Sequence, residues 1–422
     1  MNKQKQNNKL VPELRFPEFE NDGEWEEKML RNIGDIITGS TPKTSERNNY
    51  NGEMMFVSPA DISEGRYITK TKTTLSELGF SKTRPIKENS VLFVCIGSTI
   101  GKVAQNTKEC ASNQQINSLV PFDEYYSEFI YSALEYNASR IASFAGIQAV
   151  PIINKSQFSN ISIYVPTIKE EQKKIADCLC SLDDLIGLAI EKLNFLKIHK
   201  KGLLQQLFPA EGETVPKLRF PEFENDGDWE ITELGKCLFQ QPEYGIGAPA
   251  VPFSENLPTY LRITDISEDG HFLYSKKVSV EREVTEDNYL DEGDIVFART
   301  GASVGKSYKY RIKDGRLVFA GFLIRVKPDP KKLNSELLFQ FVFSEEYWNW
   351  VKITSPRSGQ PGINSKEYSL MPLILPSALI EQKKIANCLS SLDDLIEAQR
   401  EKIEVLKEHK KGLMQQLFPI KN

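Results

Sequence analysis

The chain has 422 residues, 40% of them hydrophobic and 26% charged, which fits an ordinary globular protein of two or three domains. A net charge of −5 and a pI near 5.6 argue against a protein that grips phosphates unaided, because such proteins carry a basic face. Six cysteines without a Cys-x-x-Cys pair and three scattered histidines give no metal-ligand spacing and suit a reducing, cytoplasmic setting. No run approaches the length of a membrane span.

Residues 1–10 are a polar, lysine-bearing tail, expected to be no signal peptide. A first head, residues 11–165, opens on Val11-Pro-Glu-Leu-Arg-Phe-Pro-Glu-Phe-Glu-Asn-Asp-Gly-Glu-Trp25. It mixes β-branched runs such as Ser90–Ile96 with a helical stretch, Glu128–Ala142, which predicts an α+β unit. Its polar loops hold the residues suited to nucleic acid. They are Thr41 and Lys43 in Gly39-Ser-Thr-Pro-Lys43, Ser98 and Lys102 after the strand, and the adjacent amides Asn113, Gln114 and Gln115. An amide can bind adenine through N6 and N7, although amides that cap a turn are the commoner case.

Residues 166–209 read as a helix. Ile175, Leu179, Leu182, Ile186, Ala189, Leu193, Leu196, Leu203 and Leu207 recur at steps of four and three, interrupted by Lys200, which is a heptad seam. Pro166 precedes the helix and Pro209 ends it. About 40 residues make a rod of about 60 Å.

The chain then repeats itself. The opening block returns as Val215-Pro-Lys-Leu-Arg-Phe-Pro-Glu-Phe-Glu-Asn-Asp-Gly-Asp-Trp229, and the helix returns over residues 376–419. The second seam is Ile385, Leu389, Leu392, Ile396, Gln399, Ile403, Leu406, Leu413 and Leu417, interrupted by Lys410. The stripe of each rod needs a partner: two matched rods in one chain can pair antiparallel, and a generic coiled-coil dimer between two chains is the other reading of the seam. Lys200, Lys410 and Gln399 look like devices that choose partner and register.

Between these blocks, the second head, residues 210–375, diverges from the first. Asp61-Ile62 still matches Asp265-Ile266, and Leu92–Lys102 matches Val296–Lys306. The strand Asp294–Ala298 and the helical stretch Ser335–Lys352 are expected. Arg299, Thr300, Ser303 and Lys306 form one polar cluster after the strand, and Arg357, Ser358 and Gln360 form another. A constant frame thus carries two variable surfaces, the pattern of a duplicated unit.

Gly301-Ala-Ser-Val-Gly305-Lys306-Ser307 imitates a phosphate loop but has three residues between glycines where four are needed; a tight turn closing a strand pair explains it. No Asn/Asp-Pro-Pro-aromatic motif, cofactor loop, metalloprotease helix or nucleophile elbow is present. No catalytic residue, metal ligand or cofactor of the chain itself is therefore expected.

The order head, heptad helix, head, heptad helix resembles the specificity subunits of type I restriction-modification systems. The resemblance runs from about Val11 to Pro419. It is carried by the Glu-Gln-x-x-Ile helix starts after Pro166 and Pro376, the Lys-Lys-Gly-Leu-x-Gln-Gln-Leu-Phe ends at Lys200 and Lys410, and Gly39-Ser-Thr-Pro42, Asn113-Gln-Gln115 and Ile363-Asn364. The second head lacks the Gly-x-Thr-Pro and Asn-Gln-Gln strings. The resemblance implies two target-recognition domains on double-stranded DNA, each reading half of a split target, with paired helices as a ruler and an internal pseudo-twofold. It also implies two methyltransferase and two nuclease/translocase partner subunits, which would hold S-adenosylmethionine, Mg²⁺ and ATP. A coiled-coil scaffold joining two protein-binding domains is the alternative reading of the residues.

Overall fold

The protein is described from a computed structural model, over residues 10–62, 65–146 and 150–419; apart from Leu10, the polar tail lies outside the described residues. The chain divides into two compact units, Met1–Lys192 with Gln399–Asn422, and Leu193–Ala398. Each unit is α+β and holds one head with a stretch of both long helices.

In the first unit a five-stranded sheet runs in the order Gly34–Thr38, Ile116–Pro121, Val91–Val94, Val103–Asn106, Tyr67–Ile68. A three-stranded sheet has Tyr50–Val57 between Thr73–Leu75 and Cys110–Ser112. The second unit repeats the plan with shorter strands. One sheet runs Glu243–Tyr244, Leu323–Val326, Ile295–Ala298, Ser307–Lys309, and the other Ala250–Pro252, Val278–Val280, Thr259–Leu261, Leu317–Phe319. The central strands Val91–Val94 and Ile295–Ala298 are buried on both faces, which is why they read as continuous apolar runs rather than alternating ones.

Both expected head helices are broken in two. Ser127–Tyr136 is followed by Ala138–Ala142, with the Asn137 amide donating to the Ala133 carbonyl at the break. Ser335–Phe341 is followed by Glu345–Thr354, because the Ser344 hydroxyl accepts from the Tyr347 amide and starts a new helix. Side chains that bond nearby backbone compete with an uninterrupted ladder in this way.

The long helices are Lys169–Leu207 and Leu379–Leu417, 39 residues each, about 58 Å at 1.5 Å per residue. They stop two residues before Pro209 and Pro419. In the first unit Ile175 and Leu179 share a core with Met414, Leu417 and Phe418, and in the second Leu204, Leu207 and Phe208 share one with Ile385 and Leu389. Within each unit the two stretches run in opposite directions. Gln399 donates to the Ala189 carbonyl at 3.0 Å. Lys410 reaches Asp183 at 2.5 Å in the first unit, and Lys200 reaches Asp393 at 2.6 Å in the second. Each lysine that interrupts a seam therefore meets an aspartate of the other helix. Leu182, Leu193, Leu196, Leu392 and Leu406 are half-buried, and Ile186, Ile396 and Ile403 are buried.

The repeated blocks recur because they touch each other. Glu171 is 1% exposed and accepts from Arg15 at 2.8 and 2.7 Å and from the Trp25 indole at 3.2 Å. Glu381, also 1% exposed, accepts from Arg219 at 2.8 and 2.9 Å and from Trp229 at 3.3 Å. The next residue locks the same joint again. The Gln172 side chain takes the Tyr126 amide and caps the Pro166 carbonyl, and Gln382 does so with Asn334 and Pro376. Phe418 stacks on Tyr136 and meets Trp25 edge-on, as Phe208 meets Trp229. Glu171→Ala removes the carboxylate from the Arg15 guanidinium, which keeps only the Asp22 and Gly23 carbonyls, and leaves the indole N–H buried without its acceptor. A loss of about 3–5 kcal/mol is expected for one broken buried pair, read by urea denaturation of the full chain. No helix among the described residues is long and apolar enough to cross a membrane.

Candidate nucleic-acid interface

In the first unit the sheet brings three sequence-separated loops together. Gly39 donates to the Ile116 carbonyl and Ser40 to the Ser112 carbonyl, which lays Gly39–Lys43 beside Asn113–Gln115. Cys95 donates to the Gln115 carbonyl, and Gly97 to the Pro151 carbonyl, adding the turn after the central strand. A Cβ on Gly39 would lie 2.1 Å from the Asn113 carbonyl oxygen, so only glycine allows this approach.

The three amides do different work. Asn113 bonds the side chain and the backbone N–H of Gln115, and Gln115 also reaches the Ile96 carbonyl. Those two amides staple the loop. Gln114 is exposed and accepts from the Thr41 hydroxyl at 2.7 Å, which leaves its NH₂ donors facing outward with Lys43 and Ser98, both exposed. Behind them the Ser40 and Ser112 hydroxyls are buried without a hydrogen-bond partner among the described residues. Arg84 donates to the Thr38 carbonyl at 2.7 Å; it sits at this loop cluster without any sequence motif to mark it.

Gly97 and Gly101 have φ of 98° and 97°, and Gly301 and Gly305 have 77° and 87°. Each pair closes a turn between antiparallel strands, Val91–Val94 with Val103–Asn106 and Ile295–Ala298 with Ser307–Lys309, and the Gly-x-x-x-Gly spacing follows from that. Lys102 donates to the Ile62 carbonyl at 2.8 Å, and Lys306 pairs with Glu268 at 2.8 Å.

The second unit gathers its two polar clusters at the matching place. Gly301 donates to the Pro361 carbonyl and Ile363 to the Arg299 carbonyl, joining Arg299, Thr300 and Ser303 to the loop with Arg357 and Gln360. Arg357 is committed to Glu367 at 2.5 and 2.7 Å and to two backbone carbonyls. Gln360 is exposed. The Arg299 guanidinium lies over the Tyr244 ring at 4.7 Å. Burial pushes the Tyr244 phenol up, but the hydrogen bond from Ser365 and the Arg299 charge prevail and set it below its ordinary value.

Strand register aligns the two surfaces residue by residue, although their sequences differ. Thr38 pairs with Asn117 as Tyr244 pairs with Ile324, and Val57 pairs with Ser112 as Leu261 pairs with Phe319. Gly245-Ile-Gly-Ala-Pro249 therefore takes the place of the Gly39 turn. A Cβ on Gly245 would lie 2.2 Å from the Phe319 carbonyl oxygen. Asn113, Gln114 and Gln115 become Ala320, Gly321 and Phe322, and Ser58 becomes Arg262. The matched anchors Asp61 and Asp265 hold the same turn, accepting from the backbone N–H of Ser58 and of Arg262, both at 2.9 Å. In the second unit the result is an apolar cleft of about 810 Å³ lined by residues 246–250 and 320–322, with Tyr260, Arg262, Ile263 and Thr264. Among the described residues no group of three or more His, Cys, Asp or Glu is arranged to hold a metal.

The model of the type I restriction modification DNA specificity domain matches residues 22–198 and 257–408. Over 98% of the chain and 95% of the relative, the sequence is 26% identical to the type I restriction enzyme MjaVIII specificity subunit of Methanocaldococcus jannaschii. It is 35% identical, over 34% of the chain and 32% of the relative, to the HindI specificity subunit of Haemophilus influenzae. The fold matches the type I restriction-modification S subunit from M. genitalium, with a TM-score of 0.61 at 15% identity over 98% of this chain and all of that one. With two specificity-domain matches covering more than half its length, the chain belongs to the type I restriction-modification DNA specificity family and is a DNA-recognition subunit, not itself catalytic.

Proposed function

We propose that each unit reads one half of a split DNA target and that the two long helices set the unread gap between the halves. The observation that carries this is the pair of loop clusters. They stand on the same strand register and the same Gly39 and Gly245 turns, yet present different side chains at matching positions. Two equal reading surfaces would suit a palindrome, whereas two unlike surfaces on one frame suit two unlike half-sites. The full coiled-coil pairing of the helices and the internal pseudo-twofold belong to this proposal. Thr41, Gln114, Lys43 and Ser98 in the first unit, and Arg299, Thr300, Ser303 and Gln360 in the second, are the side chains proposed to face DNA. Asn113, Gln115, Lys102, Lys306 and Arg357 act by holding the loops in shape.

The proposed partners are two methyltransferase subunits, joined by two nuclease/translocase subunits, working in the cytoplasm. S-adenosylmethionine, Mg²⁺ and ATP would sit in those partners. Apolar side chains left exposed on the long helices support helix docking. Leu185, Leu188 and Val405 in the first unit are 51%, 63% and 64% exposed, and Phe195, Ile198 and Leu395 in the second are 72%, 68% and 54% exposed. Partners that enclose the DNA also account for the chain's acidity.

The test is a segment exchange. Residues 215–376 are replaced by the corresponding segment of a relative with a different target, and the motif methylated in cells is mapped. One half of the motif is expected to change and the other to persist. A change in both halves, or in neither, removes the two-reader proposal.

A further inference from the structure

We propose that the second unit reads thymine in its half-site by seating the 5-methyl group in the apolar cleft, against Phe322 and Ile246. This rests on the reading of the loop cluster as a DNA face and names the chemistry it selects. The cleft stands where the first unit has polar side chains: Ser40, Thr41 and Gln114 are replaced by Ile246, Gly247 and Gly321, and Gln115 by Phe322. Phe322 is 64% exposed and stands in the wall of the cleft, so its ring is open to a ligand. In the major groove the apolar group displayed by a base edge is the thymine methyl, and aromatic and aliphatic side chains are its usual contacts.

Charge and symmetry favour DNA over a protein as occupant. Two guanidiniums flank the cleft. Arg262 is braced on Asp265 at 2.9 and 2.8 Å, and Arg299 lies over Tyr244 with a 3.4 Å contact to the Gly321 carbonyl. A docking face for a partner common to both units would recur in both, but this cleft is apolar in one and polar in the other. Tyr260 braces the turn that forms one wall: its O–H donates to the Ile246 carbonyl at 2.5 Å, with the Ala248 carbonyl 3.1 Å away.

The experiment uses the full chain assembled with its methyltransferase and a duplex carrying the mapped motif. Each thymine is replaced in turn by deoxyuridine, which removes the methyl and keeps the pairing. At one or more positions in the half-site read by the second unit, binding is expected to weaken by about fourfold or more, the worth of one buried methyl. Deoxyuridine in the other half-site is expected to be neutral. In the Phe322→Ala complex, whose altered side chain is surface-exposed, thymine and deoxyuridine are expected to bind alike. If every deoxyuridine duplex binds as tightly as its parent while a scrambled half-site does not, the methyl proposal is overturned and DNA reading stands. A half-site without thymine on either strand has the same consequence. If Phe322→Ala instead impairs assembly with the methyltransferase and leaves thymine discrimination intact, the cleft is a protein face. If scrambling that half-site changes nothing, the underlying reading has itself failed.

Discussion

Lys410→Met is expected to destabilise the first unit by about 3 kcal/mol, roughly a 150-fold fall in the folded-to-unfolded ratio. Lys410 is 6% exposed and holds two carboxylates at 2.5 Å, Asp183 on the first long helix and Glu135 on a head helix. Methionine keeps the volume of the stem and leaves both acids without their cation. Breaking one buried pair costs about 3–5 kcal/mol. The lower end applies because Arg66, 3.4 Å from Asp183, remains to share its charge. For a unit of about 200 residues this lowers the melting temperature by about 6–12 °C.

The pH dependence distinguishes a charge effect from lost packing. Burial lifts the Glu135 carboxyl above its usual value, Lys410 opposes the lift, and Asp183 adds to it. Removing Lys410 raises it further. A carboxyl that holds its proton more tightly folded than unfolded gains stability as pH falls through its folded value. The variant should therefore regain part of its deficit between pH 7.5 and pH 5. A deficit that is the same at both pH values would overturn the account of a Glu135 proton held more tightly once Lys410 is gone.

The pairing lysines show what a single sequence discloses and what it hides. The seam was legible because apolar residues at steps of four and three must share one helix face. Lys200 and Lys410 were legible as interruptions, but their acids were not, because Asp183 and Asp393 are brought to them by chain direction and not by nearness in sequence. The duplicated Arg and Trp of the opening blocks and the Glu-Gln of the helix starts stood out as repeats. Their reason, a buried three-way contact at Glu171 and at Glu381, needed coordinates.

The polar loops divide in the same way. Polar strings such as Asn113-Gln114-Gln115 can be found by eye, yet hydrogen-bond geometry is needed to separate the exposed Gln114 from the two amides that staple the turn. Ile246 and Phe322 are hidden because apolar residues in a diverged segment look like core, and Arg262 because no motif marks it. Their correspondence with Ser40, Gln115 and Ser58 rests on strand register, which is invisible once sequence similarity is gone. The apolar periodicity of each head helix continues across Asn137 and Ser344, which hides the breaks where their side chains bond the nearby backbone.

Lengthening both long helices by seven residues, one heptad after Lys192 and one after Ala398, is expected to abolish methylation of the native motif. It should create methylation at a motif with the same two halves and about three more unread base pairs. Seven residues add about 10 Å, the rise of about three base pairs. A heptad returns each helix face to within about 20° of its starting direction, and the insertions fall between Asp183 with Lys410 and Lys200 with Asp393, so each lysine keeps its own aspartate. Three base pairs also turn the duplex by about 100°. The lengthened protein must therefore twist or bend its target, at an elastic cost of order 1–6 kcal/mol, and methylation at the new gap is expected to be slower than in the parent. A five-residue insertion in each helix is the informative control. It adds about 7–8 Å but turns each helix face by about 140°, and it should lose methylation at every gap. Genome-wide methylation mapping reads all three proteins in one experiment. If the seven-residue protein still modifies the parental gap, the helices hold the units without measuring the distance between half-sites.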